Sequence, residues 1–178
     1  MRKQLAFVFI LLSSAAGAQQ MKVEFDKETD FSRYQTFTIG EGQILTPKDQ
    51  RRIPDASIHG WVRGAIADEL AKKGLKKVDS AGDLVVSYLT GTEKRSDTGN
   101  VGPLGMTPGS NASQAYIRDY QQGSLVIDLN DAHNKALVWR VNATTDVNLP
   151  ESEAAIDQIV EHGFKKFSLK PKKTKKKK

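Results

Sequence analysis

The chain has 178 residues, a formal net charge of +6 and no cysteine, with 38% hydrophobic and 7% aromatic residues. That composition excludes a disulfide-stapled scaffold and an intrinsically disordered chain, and the length suits one domain with a real core. The charge is unevenly placed. Removing Arg2 and Lys3 leaves +4, and removing Lys170, Lys172, Lys173, Lys175, Lys176, Lys177 and Lys178 leaves −3. A mildly acidic body with all its basic excess in a terminal tail is not expected to bind nucleic acid.

Met1 to Ala18 reads as a removable export signal. Arg2 and Lys3 precede an apolar run from Leu5 to Leu12, and Ala16-Gly17-Ala18 supplies a small-x-small cleavage site. The run is far shorter than the ~20 apolar residues of a membrane span, so no transmembrane segment is expected in the mature form. No cysteine follows it to accept a lipid. The expected product is exported and periplasmic, starting near Gln19, with a single domain over residues 19–169.

Lys22–Asp26 alternates, with Val23 and Phe25 on one face, and predicts a strand. Asp30 to Tyr34 predicts a turn, and Thr36–Ile39 a second strand with Phe37 and Ile39 aligned. Residues 40–54, with Gly40, Gly42, Pro47 and Pro54, predict a loop. From Asp55 or Ser57 to Lys73 the period becomes 3.6, through Ile58, Trp61, Val62, Ala65, Ile66 and Leu70. Asp55 and Ser57 are candidate N-caps, and Gly74 stands at the C′ position.

Asp83–Thr90 predicts a largely apolar strand buried on both faces. Residues 91–115, rich in Gly, Ser, Thr, Asn and Pro, predict a long loop. Gly123–Asn130 and Ala136–Val147 then predict an antiparallel hairpin, with Leu137, Trp139, Val141 and Val147 inward and Arg140, Asn142, Thr144 and Asp146 on a wet face. Pro150 opens a helix whose buried stripe is Ile156, Ile159, Val160, Phe164 and Phe167. Gly163 on that stripe marks a close approach. Both Trp61 and Trp139 are expected in the core. The order predicts an α+β domain: a mostly antiparallel sheet of about five strands with two amphipathic helices packed on one face. Residues 170–178 predict a disordered lysine tail.

Val23-Glu24-Phe25-Asp26, Asp30-Phe31-Ser32-Arg33-Tyr34-Gln35-Thr36-Phe37, Ile66-Ala67-Asp68-Glu69-Leu70 with Lys73-Gly74-Leu75, Asp83-Leu84-Val85-Val86, Gly123 to Leu129 with Asp131-Ala132, and Leu137-Val138-Trp139-Arg140 stand together in this order. In these pieces the chain resembles the bacterial domain of unknown function 4136, whose members are lipoprotein-like envelope proteins. The resemblance runs from about residue 22 to 168. It implies an envelope location and carries over no catalytic residue. The chain departs from the family in lacking the lipid-accepting cysteine and in carrying a lysine tail.

Chemical signatures are sparse. His59, His133 and His162 lie apart, without the i, i+4 spacing of a zinc helix, and are expected to be structural or solvated. Asp128-x-Asn130 with Asn134 lacks the sixth-position glycine and a ligand of a calcium loop. Gly109-Ser110 has no adjacent lysine for a phosphate loop, and no Gly-x-Ser-x-Gly elbow occurs. Glu153, Asp157 and Glu161 read as a solvated helix face. No catalytic residue, metal ligand or cofactor is expected, and an enzyme is not.

Two groups remain as candidate sites. The seven tail lysines suit an anionic lipid or polysaccharide surface, at about 1 kcal/mol each near anionic lipid. Tyr116 and Tyr120, at helical spacing, either pack a short helix or turn or rim a ligand cleft. The functional expectation is a non-enzymatic envelope binding module whose partner is an unknown envelope protein or that anionic surface. The alternative is a periplasmic small-ligand-binding protein with a pocket between sheet and helices.

Overall fold

In the computed structural model, the described residues are 19–100, 115–146 and 153–170. The expected signal, residues 101–114 of the expected loop, Val147, Pro150 and the tail beyond Lys170 lie outside them. The chain is α+β. Six strands, β1 (Gln19–Phe25), β2 (Thr36–Ile44), β3 (Lys76–Lys77), β4 (Leu84–Asn100), β5 (Ala115–Asp131) and β6 (Leu137–Asp146), form one sheet in the order β1-β6-β5-β4-β2-β3. Helices α1 (Asp55–Lys72) and α2 (Glu153–Phe164) pack on one face of it.

The sheet is mixed, which corrects the expected five mostly antiparallel strands. β1–β6, β6–β5 and β5–β4 are antiparallel, but β2 runs parallel to both β4 and β3. The reason is the connection. An 18-residue helix lies between β2 and β4, and a crossover of that length returns the chain in the same direction. β3 is two exposed lysines, too short to leave any periodicity.

Other boundaries move as well. β2 continues to Ile44 through a register shift between Ile39 and Gly42, so the expected loop after residue 39 is partly strand. Pro54, not Asp55 or Ser57, occupies the N-cap of α1. Asp55 is the first helical residue and pairs with Arg51 at 2.5 Å, a placement the positive end of the helix dipole favours. Gly74 has φ +98°, as its expected C′ position requires. Residues 91–100 are strand, paired with β5 as far as Asn100↔Ala115.

Core packing follows the two periods. Ile58, Val62, Ala65, Ile66 and Leu70 of α1 and Ile159, Val160 and Phe164 of α2 are buried against Leu84, Val86, Leu125, Ile127, Leu129, Trp139, Val141 and Ala143. β4 buries Leu84, Val86 and Tyr88, while Val85, Ser87 and Leu89 are only half-buried, so one face is covered and not two. Trp61 is half-buried, a correction to its expected core place. Leu137 is exposed and Val138 buried, because the β5–β6 register shifts between Leu129 and Asn130.

Gly163 is the close-approach point. A Cβ there would lie 2.6 Å from Val141 Cγ1, and a β-branched valine cannot swing away. Gly163→Ala is therefore expected to destabilise by about 1–2 kcal/mol in urea unfolding, overpacking outweighing a helix-propensity gain of about 1 kcal/mol. Combined with Val141→Ala, it should cost less than the two single losses added together.

Candidate binding surface

The motif residues converge on two knots that set the sheet. Asp131 ends β5 with its side chain fully buried. It accepts from His133 N at 2.8 Å, Tyr34 OH at 2.9 Å and Asn134 N at 3.4 Å, and pairs with the Arg33 guanidinium. Burial pushes this carboxyl up, but the bonds from His133, Tyr34 and Asn134 and the Arg33 charge outweigh it and hold it below its ordinary range. Asp83 accepts from Gln35 N, Thr36 N and Thr36 Oγ1 at 2.8–2.9 Å, and those donors, the backbone ones first, depress it too. Both carboxylates fix the turn at residues 30–36 to the sheet. Neither is left with a proton to exchange near neutral pH.

Among the described residues no helix or strand covers the sheet face opposite the helices. Register lays ladders across it: Glu24, Arg140, Asp128 and Ser87 stand side by side on β1, β6, β5 and β4. Beside them run Lys22, Asn142, Val126, Leu89 and Gln43. Arg140 forks onto Asp128, Nε to Oδ1 at 2.7 Å and Nη2 to Oδ2 at 2.5 Å, and the Asp128 bond and charge raise its pKa. Lys22 pairs with Glu24 at 2.8 Å. Gln43, Ser87, Leu89, Val126 and Asp128 line a shallow depression of about 180 Å³, below the ~300–1,000 Å³ of small-molecule sites. This arrangement offers fixed hydrogen-bonding groups around a small apolar patch, suited to contact and not to enclosure.

Between the sheet and α2 the described residues pack closely around Trp139. Phe25, Phe31, Phe164 and Phe167 meet Trp139 with ring centroids 5.0–6.3 Å away. On the helix side, the Tyr88 hydroxyl meets His59 Nδ1 at 2.7 Å and accepts from Arg63 Nε at 3.3 Å. His133 is a turn residue and His162 is exposed, so the three histidines are not brought together. Glu153, Asp157 and Glu161 are all exposed.

The sequence-predicted site residues fall as follows. Tyr116 and Tyr120 lie in β5, paired with Gly99 and Arg95, which corrects the short helix or turn expected there. Four-residue spacing is shared by a helix face and a strand face, so the spacing could not separate them. Lys170 is exposed, its N–H donating to Ser168 Oγ at 3.2 Å; Lys172, Lys173, Lys175, Lys176, Lys177 and Lys178 lie outside the described residues. The open face was legible only as the wet side of one hairpin. Alternation within each strand marked Arg140 and Asn142, but not their neighbours on β1 and β4. Glu69, buried beside Lys72 and Lys73, carried no signal beyond its place on α1.

Among the described residues no helix is long and apolar enough to cross a membrane. A family model described as a domain of unknown function, DUF4136, matches residues 21–167. No curated protein matches. Among solved structures, a DUF4136 family protein from Bacteroides thetaiotaomicron is similar at 12% identity and TM-score 0.53, over 85% of this chain and 98% of that one. A PelC dodecamer from Paraburkholderia phytofirmans is similar at 14% identity and TM-score 0.50, over 83% and 95%. A PDZ domain protein from Parabacteroides distasonis is similar at 13% identity and TM-score 0.56, over 88% of this chain but 38% of its own length. Likeness at these identities shows a shared fold.

Proposed function

Because this chain belongs to the DUF4136 family, we propose that it is an exported, non-enzymatic cell-envelope protein whose open sheet face docks another envelope component. The lysines from Lys170 onward hold it loosely at anionic lipid or polysaccharide. The face that no described helix or strand covers carries this reading: laterally registered polar ladders span the strands and stay clear of both helices. Fixed pairs such as Asp128–Arg140 keep such a face soluble alone and complementary to a polar partner. The close ring packing around Trp139 favours this over the small-ligand carrier. The two described carboxylates with resolved shifts, Asp83 and Asp131, are both depressed and occupied by structural donors. A general acid or base would need a value nearer its working pH.

Photo-crosslinking groups at Gln43 and Asn142 on the open face, and at exposed Asp68 on α1, test the docking. Adducts in envelope extracts are expected from the first two positions and not from Asp68. Equal adducts from all three, or none from the face, would reject it. For the tail, the full chain should co-sediment with phosphatidylglycerol vesicles at low salt and be released as salt shortens the Debye length from about 10 Å at 0.1 M towards 3 Å at 1 M. The chain truncated before Lys170 should stay in solution. Equal, salt-insensitive sedimentation of both would end the tail proposal.

A further inference from the structure

Among the described residues the sheet narrows to two strands at one end. β2 last pairs with β4 at Ile44↔Thr90, and β6 last pairs with β5 at Gln122↔Asp146. Among the described residues β4 and β5 continue without a third strand from Lys94↔Gln121 to Asn100↔Ala115, an overhang of roughly 24 Å at about 3.4 Å per residue. Among the described residues no strand lies beside either outer edge of this ribbon. A two-stranded ribbon is marginal by itself, and an open edge is a template for another strand.

Hydrogen bonds at the ribbon's root show which backbone groups the β4 edge offers. Thr90 O accepts from Leu45 N at 2.8 Å, and Thr92 N donates to Thr46 Oγ1 at 2.7 Å. Even-numbered residues of β4 thus turn their N–H and C=O towards the β2 side. Continued at period two, Lys94, Ser96, Thr98 and Asn100 turn theirs to the edge that β2 no longer covers.

That parity restricts how the edge can meet itself. Antiparallel pairing must set even residues opposite even ones, so the two-fold axis passes through a residue and not between two. An axis at Arg95 sets Arg95 against Arg95 and Glu93 against Asp97. An axis at Asp97 sets Asp97 against Asp97. An axis at Ser96 sets Arg95 opposite Asp97 of the second copy, twice, with Lys94 opposite Thr98 and Glu93 opposite Gly99. Both Arg–Asp pairs then occupy non-hydrogen-bonded positions, where cross-strand side chains are closest. Within the hairpin Asp97 already stands opposite Arg118, and Arg95 opposite Tyr120. In register, the row Arg118, Asp97, Arg95, Tyr120 therefore continues across the axis with no two like-charged residues at neighbouring positions.

We propose that the overhanging edge of β4 is a self-recognition edge: a second copy of this chain pairs antiparallel with it about Ser96, joining two ribbons into one four-stranded ribbon. An isologous edge of this kind closes on itself and leaves the open sheet faces available. The inference stands independently of what those faces bind.

Sedimentation velocity of the full chain over a concentration series is the test, with circular dichroism to confirm folding. The unaltered chain is expected to show a monomer–dimer equilibrium. Arg95→Asp and Asp97→Arg should each weaken it about tenfold, since each turns two attractive pairs into repulsive ones. Mixed in equal amounts, those two variants should dimerise again, because both cross-strand pairs are then complementary. Ser96→Pro removes an outward N–H without touching the bonds to β5, and should also abolish dimers. It keeps the test decisive should Asp97→Arg, at the position paired with Arg118, disturb the hairpin. A chain that stays monomeric to about 0.5 mM, dimers indifferent to Arg95→Asp and Ser96→Pro, or folded single variants that fail to recombine would each overturn the proposal.

Discussion

Trp139→Ala is expected to lower stability by about 4 kcal/mol, a large part of the 5–15 kcal/mol available to a domain of this size. Trp139, near the start of β6, is 2% exposed, and four phenylalanine rings converge on it. Phe25 stacks on one side at 5.0 Å and Phe164 lies nearly parallel at 6.3 Å, while Phe31 and Phe167 meet it edge-on at 6.0 and 5.2 Å. These rings come from β1, the turn after it, α2 and the segment beyond α2. Collapse around the lost indole would need all of them to move, so a residual cavity is expected to remain. Thermal and urea unfolding of Trp139→Ala check this. A loss below about 1 kcal/mol would mean that the rings do not depend on one another.

Asp131→Asn is expected to cost about 3 kcal/mol at pH 7, because a buried carboxylate with several donors is replaced by an amide that cannot accept from all of them. The Arg33 pairing adds little to this, since the Arg33 side chain is about half exposed. The pH dependence carries a definite sign. The folded Asp131 carboxyl is held below its ordinary value, as is Asp83. Its contribution is therefore complete above the unfolded value of about 3.9, and is lost as the pH falls through the lower folded value. The unaltered chain should lose urea resistance steeply below about pH 4. Asp131→Asn should start lower at pH 7 and fall less between pH 4 and 2. Parallel curves for the two proteins would show that Asp131 is not held as described.

Local order accounts for most of what could be read in advance. The 3.6 period of Ile58, Val62, Ile66 and Leu70, the alternation of Leu125, Ile127 and Leu129, and Gly74 at a helix end each express a rule acting within a few residues. The same rules misplaced Tyr116 and Tyr120, where a four-residue spacing serves helix and strand alike. They also took Gly and Ser in residues 91–100 as loop, although cross-strand pairing with β5 holds those residues extended. Leu137 and Val138 exchanged places because β6 carries one extra residue, Val138, between its pairings to Leu129 and Asn130, and a regular alternation does not reveal such a bulge.

The sequence alone determined the order of helices and hairpins, the burial of Trp139, the close approach at Gly163 and the separation of a mildly acidic body from a basic end. Those features depend on side-chain period, size and charge, which neighbours in the chain already express. Tertiary structure alone decided that β2 runs parallel to β4, that Arg33 and Tyr34 clasp Asp131, and that Glu24, Arg140, Asp128 and Ser87 align across four strands. Each of these joins residues far apart in the chain, and register between strands is set by the packing of a shared core.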